Sequence, residues 1–248
     1  YNQTGDNFCC LDKTLGSFYF NEISEHNLKY YCEDKLGNKG PVDEEKFKVE
    51  ETAFEIQLNH KWNLISVPVK LLDDSINEVF QDIDESVISV WGYDAMTDQW
   101  SVYTPDGNNV NDDLTTLRPG RGYWALVNNS QGVMLVIGGS LLSPAATPPS
   151  IPVKGDAWNL LGYYGAENLP GYYGPAGNGG ESSCVLNSFG DSVFDKGFTG
   201  VYSYWEPNNP NVWIPLGKFD ELDPGAGYWV FTTEDGVYAP STSCSFLP

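Results

Sequence analysis

The phrase LRPGRGYW at residues 117–124 returns as LDPGAGYW at residues 222–229, and each stands at the end of a longer repeated segment. Trp62-Asn63-Leu64-Ile65-Ser66 opens the first segment and Trp158-Asn159-Leu160-Leu161-Gly162 opens the second. Between opening and close each copy carries a Val/Trp/Tyr-rich hairpin, VISVWGYDAMTDQWSVY at 87–103 and GVYSYWEPNNPNVWIPL at 200–216. All eight tryptophans fall in these copies, four in each. A segment duplicated with its large aromatics in order is the signature of a repeated fold. The chain is therefore expected to be mainly β, with a different module at 1–52, a first repeat at 53–150 and a second at 151–248. Trp62, Trp100 and Trp124 are expected to be buried in places equivalent to Trp158, Trp213 and Trp229.

The repeated phrase reads as a turn that feeds a strand. Pro119-Gly120 and Pro224-Gly225 suit the centre of a type II turn, where Pro presets φ and Gly takes a positive φ without a Cβ clash. Gly122 and Gly227 are expected to let the chain pass closely under an aromatic, and Tyr-Trp begins a strand. A glycine-rich phosphate loop is excluded by the missing helix behind it and the missing Lys-Ser/Thr. In the first hairpin the period-2 rule places Ile88 and Val90 on one face and Val87, Trp91 and Tyr93 on the other, both apolar enough to be covered. Ser75-Ile76-Asn77-Glu78 reads as a capping box, and Ile76, Val79, Phe80 and Ile83 form the apolar face of a short helix in the first repeat. The second copy has instead a Gly/Tyr-rich insertion at 167–197.

Thirty-four acids against 13 bases give a formal charge of −21, a field that repels phosphates and anionic lipid. Nucleic acid is excluded as a partner. No apolar run approaches the roughly 18 residues that span a bilayer, so no direct membrane insertion is expected of this chain. Of five cysteines, Cys9, Cys10 and Cys32 form one group and Cys184 and Cys244 another, with no ligand spacing to His26 or His60. Pairing within groups, Cys184 with Cys244 and Cys32 with Cys9 or Cys10, is expected in an oxidising extracellular compartment. Sequons at Asn2 and Asn128 agree with glycosylation there. Asp106, Asn108 and Asp112 lie in a stretch dense in oxygen ligands that offers a calcium site outside EF-hand spacing, although a solvated hairpin loop has the same composition. With two histidines and no nucleophile motif, the one generic route to catalysis is a carboxylate pair, which an acid-rich chain supplies by accident. The reading is non-enzymatic. Tyr163, Tyr164, Tyr172 and Tyr173, in two Gly-Tyr-Tyr-Gly stretches, offer rings for sugar stacking or for loop packing. The chain's two arginines, Arg118 and Arg121, flank the first turn where the second has Asp223 and Ala226, and so mark a contact between modules or subunits in which guanidinium groups meet carboxylates, Asp223 among them.

In the first fifty residues Ser17–Phe20, His26–Cys32 and Lys46–Val49 read as short strands. Tyr30 stands two residues before Cys32, the spacing of a tyrosine corner. The run EHNLKYYCEDKLGN at 25–38 resembles the closing strands of Ig-like modules in archaeal and bacterial secreted surface proteins, where Glu-His, Tyr-Tyr, Asp and Gly-Asn recur. WNLISVP and LRPGRGYW resemble a repeat of large prokaryotic, particularly archaeal, cell-surface polypeptides. The resemblance implies a partial Ig-like sandwich ahead of two homologous β-rich modules, and it brings no catalytic residues. A full sandwich needs about seven strands; the early ones are missing, which fits either a piece of a larger polypeptide or a module completed by a donated strand. The function expected is that of an extracellular structural component of a prokaryotic surface, an S-layer or filament, whose partners are further copies or other surface proteins. The alternative is a carbohydrate-binding or adhesin module that uses the Tyr-rich loop.

Overall fold

Within residues 2–4, 25–33, 36–48, 52–105, 107, 112–140, 149–163, 180–181, 198–204, 213–217 and 220–239, which the computed structural model describes, the chain is mainly β. It divides into two units, Tyr1–Glu51 and Thr52–Pro248. In the first, β1 (Asn2–Thr4), β2 (Glu25–Glu33) and β3 (Asp43–Lys48) form one sheet in the order β1-β2-β3, with β1 parallel and β3 antiparallel to β2. The strand expected at Ser17–Phe20 lies outside the described residues. Register pairs Lys29 with Glu44, whose carboxylate lies 3.2 Å from the Lys29 ammonium and accepts a 2.8 Å bond from the Asn27 side-chain amide. Such an opposite-charge cross-strand pair fixes the register of a polar hairpin.

Both repeats lie in the second unit. In the first repeat β4 (Thr52–Leu58) turns into β5 (Lys61–Ser66), followed by β6 (Lys70–Leu71), helix α1 (Ile76–Phe80) running into a 3-10 turn at Gln81–Ser86, β7 (Val87–Asp94), β8 (Gln99–Tyr103), β9 (Gly122–Val127) and β10 (Val133–Ser140). They build one sheet of order β5-β9-β7-β8 and another of order β4-β10-β6. The second repeat runs β11 (Ile151–Val153), β12 (Ala157–Gly162), β13 (Gly180–Glu181), β14 (Phe198–Tyr204), β15 (Trp213–Leu216), β16 (Glu221–Leu222), β17 (Gly227–Thr232) and β18 (Gly236–Tyr238). Its sheet β12-β17-β14-β15 has the same order of corresponding strands, and β11-β18 stands where β4-β10 stands in the first. The two LxPGxGYW turns therefore occupy the same topological position.

Each repeat has its own core. Phe54, Leu58, Leu135 and Ile137 from one sheet meet Ile65, Val90, Tyr123, Ala125 and Val127 from the other, with Ile76, Phe80 and Ile83 of the helical turn packed among them. The helical periodicity is thus used as read. The capping box is not formed: Ser75 makes no side-chain cap, and the Ile76 N–H donates to the Thr115 carbonyl at 3.0 Å while Asp73 Oδ1 accepts from the Ser75 N–H at 2.8 Å. A strand-like bridge between Ser75 and Thr116 holds Ser75 in extended backbone and supplies the partner that a cap would have supplied. The hairpin faces also differ from simple alternation. A bulge between Val87 and Ser89 brings Val87 into the core with Val90 and leaves Ile88 exposed, and the second repeat has the corresponding bulge between Phe198 and Gly200. Among the described residues the second core gathers Ile151, Val153, Leu161, Tyr163, Val201, Leu222, Tyr228, Val230 and Tyr238.

Candidate functional site

Every letter of the repeated phrase has a structural task, done twice. Gly120 and Gly225 take φ of +87° and +85°, and the turns close from the Arg121 N–H to the Arg118 carbonyl at 3.3 Å and from the Ala226 N–H to the Asp223 carbonyl at 3.2 Å. Leu117 and Leu222 are buried beneath them. The Tyr123 hydroxyl accepts from the Arg118 N–H at 2.8 Å, and the Tyr228 hydroxyl from the Asp223 N–H at 2.6 Å, so the tyrosine of each GYW latches its own turn. Burial pushes the Tyr123 phenol up to about 12, opposed by the bond from Arg118. Burial raises Tyr228 too, reinforced by the Asp223 charge. The opening Trp-Asn has its task as well. Asn63 accepts from the Asn59 N–H at 2.7 Å and donates to the Asn59 and Lys61 carbonyls, while Asn159 accepts from Lys154 at 2.9 Å and donates to Lys154 and Ala157. Both are buried, so these bonds satisfy an amide that would otherwise be costly inside.

The second glycine of the phrase faces the other repeat. A Cβ on Gly122 would lie 2.7 Å from the Leu161 carbonyl and 2.9 Å from a Leu160 methyl; one on Gly227 would lie 2.7 Å from the Ile65 carbonyl and 3.0 Å from Leu64. The expectation that these glycines let the chain pass under an aromatic is corrected: what approaches is the backbone of the partner repeat's WNL strand. The Ser66 N–H donates to the Gly225 carbonyl at 2.8 Å and the Gly162 N–H to the Gly120 carbonyl at 2.9 Å, with strand bridges Ile65–Ala226 and Arg121–Leu161. Residue i of one copy meets residue j of the other, and j meets i. This reciprocity is the isologous pairing of a two-fold dimer, built here within one chain.

Reciprocity extends to the aromatics. Along β9 the side chains of Tyr123, Ala125 and Val127 enter their own core, which sends Trp124 and Leu126 to the opposite face; β17 divides in the same way, with Trp229 and Phe231 outward. Trp229 sits against Tyr93 and Trp100 of the first repeat, ring centroids 5.4 and 6.0 Å away, and Tyr93 and Trp100 are 5.0 Å apart. Trp124 sits against Tyr204 and Trp213 of the second at 4.8 and 5.8 Å, and those two are 5.2 Å apart. Trp62 joins Trp124 edge-on at 6.0 Å, as Trp158 joins Phe231 at 5.3 Å. The expectation that Trp62, Trp100, Trp158 and Trp213 are buried is therefore corrected. They are 39%, 46%, 40% and 47% exposed, in equivalent places, because they line grooves at the seam rather than either core; Trp124 and Trp229, also expected to be buried, are only partly so.

Two open aromatic grooves result. One of about 710 Å³ is lined by Tyr93, Asp98, Trp100, Trp124, Trp158, Tyr202, Trp213 and Trp229. Its smaller counterpart, about 400 Å³, is lined by Trp62, Trp91, Trp100, Trp124 and Tyr204. Asp98 holds a φ of +56° in the β7-β8 turn, a conformation that Asp tolerates better than most side chains, and its carboxylate accepts from the Tyr93 hydroxyl at 2.8 Å. Burial, then this bond, raises the Tyr93 phenol. Among the described residues Asp98 is the single charged side chain lining the larger groove.

The other sequence-derived residues fall as follows. Tyr163 is 1% exposed in the second core, just past the end of β12, so it offers no ring to a sugar. Tyr164, Tyr172 and Tyr173 lie outside the described residues, as do Cys9, Cys10, Cys184, Cys244 and the side chains of Cys32 and Asn2. Asn128 is exposed. The turns bearing Arg118, Arg121 and Asp223 lie between the repeats and are joined there by backbone hydrogen bonds; the Arg121 guanidinium pairs at 3.4 Å with Asp94 of its own repeat. Asp112 accepts from the Thr104 hydroxyl at 2.7 Å through one carboxylate oxygen while the other is buried with no partner among the described residues; Asp106 and Asn108 lie outside them. Among the described residues no three His, Cys, Asp or Glu cluster as a metal site, and no helix is long and apolar enough to cross a membrane. No protein-family model matches the chain, nor does any curated protein or solved structure.

Proposed function

We propose that the chain is a non-enzymatic extracellular component of a prokaryotic cell surface, and that its two repeats act as one rigid recognition element whose binding face is the aromatic seam between them. The observation that carries this reading is the placing of Trp62, Trp100, Trp158 and Trp213, each about 40–50% exposed, around one seam instead of in the cores. Exposed, clustered aromatics cost solubility and mark interaction sites. The acidic surface keeps such a molecule soluble and repels anionic partners. Recognition through this seam gives the adhesin reading a binding face in addition to the Tyr-rich loop, and it is compatible with tandem modules that display the site from a structural surface layer. The test is capture from an array of glycans and small envelope components by the intact chain and by Trp100→Ala/Trp158→Ala. Loss of capture in the variant, with unchanged far-UV circular dichroism, is expected. Capture that ignores both substitutions refutes the seam as the binding face.

A further inference from the structure

The chemistry of the larger groove selects among ligands. Three rings, Tyr93, Trp100 and Trp229, stand with centroids 5.0, 5.4 and 6.0 Å apart and planes tilted by 43°, 48° and 60° to one another. They are neither a flat stacked platform nor a filled core. A ring face attracts a cation placed within about 6 Å of its centroid, and three rings whose centroids lie this close together can all come within that distance of one point in the groove. The carboxylate of Asp98 lines the same groove and is held by the Tyr93 hydroxyl. The whole chain carries −21, which draws cations toward any cleft with low-dielectric walls.

A hexose would bring several hydroxyl groups, each needing a partner when buried. Among the described residues the groove meets them with indoles, which only donate, with Tyr93 and Asp98, already bonded to each other, with the Tyr202 hydroxyl, and with apolar surface. A lysine ammonium fares no better, since among the described residues its three donors would find one carboxylate and two phenol oxygens, one of them already engaged. A cation whose charge is spread over alkyl groups makes no such demand, and its attraction to the ring faces is retained.

We infer that the groove between the repeats binds a small quaternary ammonium compound, its charged nitrogen set over the rings of Tyr93, Trp100 and Trp229 and balanced by Asp98. This inference rests on the reading of the seam as a recognition face, and it names the ligand class for the larger groove. The test uses the full chain and follows tryptophan fluorescence during titration with choline chloride, at ionic strength fixed with sodium chloride. The neutral isostere 3,3-dimethyl-1-butanol and a neutral oligosaccharide are run in parallel. Choline is expected to give a saturable change, with the isostere binding at least about tenfold more weakly. Asp98→Asn, on a hairpin turn outside both cores, is expected to weaken choline by about fivefold or more and to leave the isostere unchanged. Equal binding of choline and isostere, or choline binding indifferent to Asp98→Asn, overturns the inference. Oligosaccharide binding without choline binding overturns it while leaving the recognition face intact; no response to any of the three counts against both.

Discussion

Replacing Gly122 or Gly227 by Ala perturbs the seam with the smallest side chain that can reach it. On Gly122 the new methyl would stand 2.7 Å from the Leu161 carbonyl oxygen and on Gly227 2.7 Å from that of Ile65, each about an ångström inside ordinary carbon–oxygen contact. The obstacle is backbone in a strand, so rotation of a side chain cannot relieve it. Either the sheets separate locally, with stretching of the Ser66-to-Gly225 or Gly162-to-Gly120 hydrogen bond, or the strand bends. Overpacking of this kind costs about 1–3 kcal/mol, which for a unit of roughly 200 residues lowers the melting midpoint by about 2–4 °C per kcal/mol. Gly92→Ala is the internal control: its methyl would meet Leu114 and Tyr123 at 3.4 to 3.5 Å, ordinary contact in the same sheet. Urea denaturation of the three variants and of the Gly122/Gly227 double variant, read by far-UV circular dichroism, measures the effect. Because both glycines relieve the same seam, the double variant is expected to lose less than the sum of the singles, by about 0.5 kcal/mol or more. Gly122→Ala or Gly227→Ala no more costly than Gly92→Ala would refute the close approach.

Four further outcomes are expected, three from the same geometry and one from the grouping of the cysteines along the chain. Tyr123→Phe and Tyr228→Phe each leave a turn N–H without its acceptor, an expected loss of about 1–3 kcal/mol in the same denaturation series. Tyr123, raised from 10.0 to about 12, favours the folded state fully below pH 10 and loses that contribution as pH rises through about 12, so stability should fall across this window and fall less in Tyr123→Phe. Arg121→Gln, which breaks a partly exposed pair with Asp94, is expected to cost no more than about 1 kcal/mol; a larger loss would show that the guanidinium itself joins the repeats. Non-reducing peptide mapping should recover Cys184 joined to Cys244 and Cys32 joined to Cys9 or Cys10, and a peptide linking the two groups would contradict that grouping.

The turn and strand of the repeated phrase were legible because Pro and Gly state their backbone preferences locally, and the φ values of Gly120 and Gly225 match them. The apolar face of the helical turn was legible from periodicity, whereas its cap was decided by Thr115, forty residues away in the chain. The tryptophans show the deeper limit. Trp124 in GYWALV and a core aromatic look alike in a strand, and both hairpin faces are apolar, so composition says that each face is covered but not by what. The clue was available in the parity of Tyr123, Ala125 and Val127 against Trp124 and Leu126: one face of β9 holds side chains that fill a core, and the other pairs a glycine with a tryptophan, the pattern of a close-approaching partner. Tyr163 was misplaced for the opposite reason, since a Gly-Tyr-Tyr-Gly stretch reads as loop, yet its first tyrosine, just past the end of β12, drops into the second core.

The reciprocal pairing of the repeats through their aromatics is tested most directly by two double-mutant cycles, Trp124→Leu with Trp213→Leu and Trp229→Leu with Trp100→Leu. The rings of these pairs lie 5.8 and 6.0 Å apart across the seam, each pair joining the GYW tryptophan of one copy to the hairpin tryptophan of the other. Reciprocal pairing predicts coupling of about 0.5–1.5 kcal/mol in both cycles, of the same sign and similar size. Additive losses in both, with every variant folded, would contradict it.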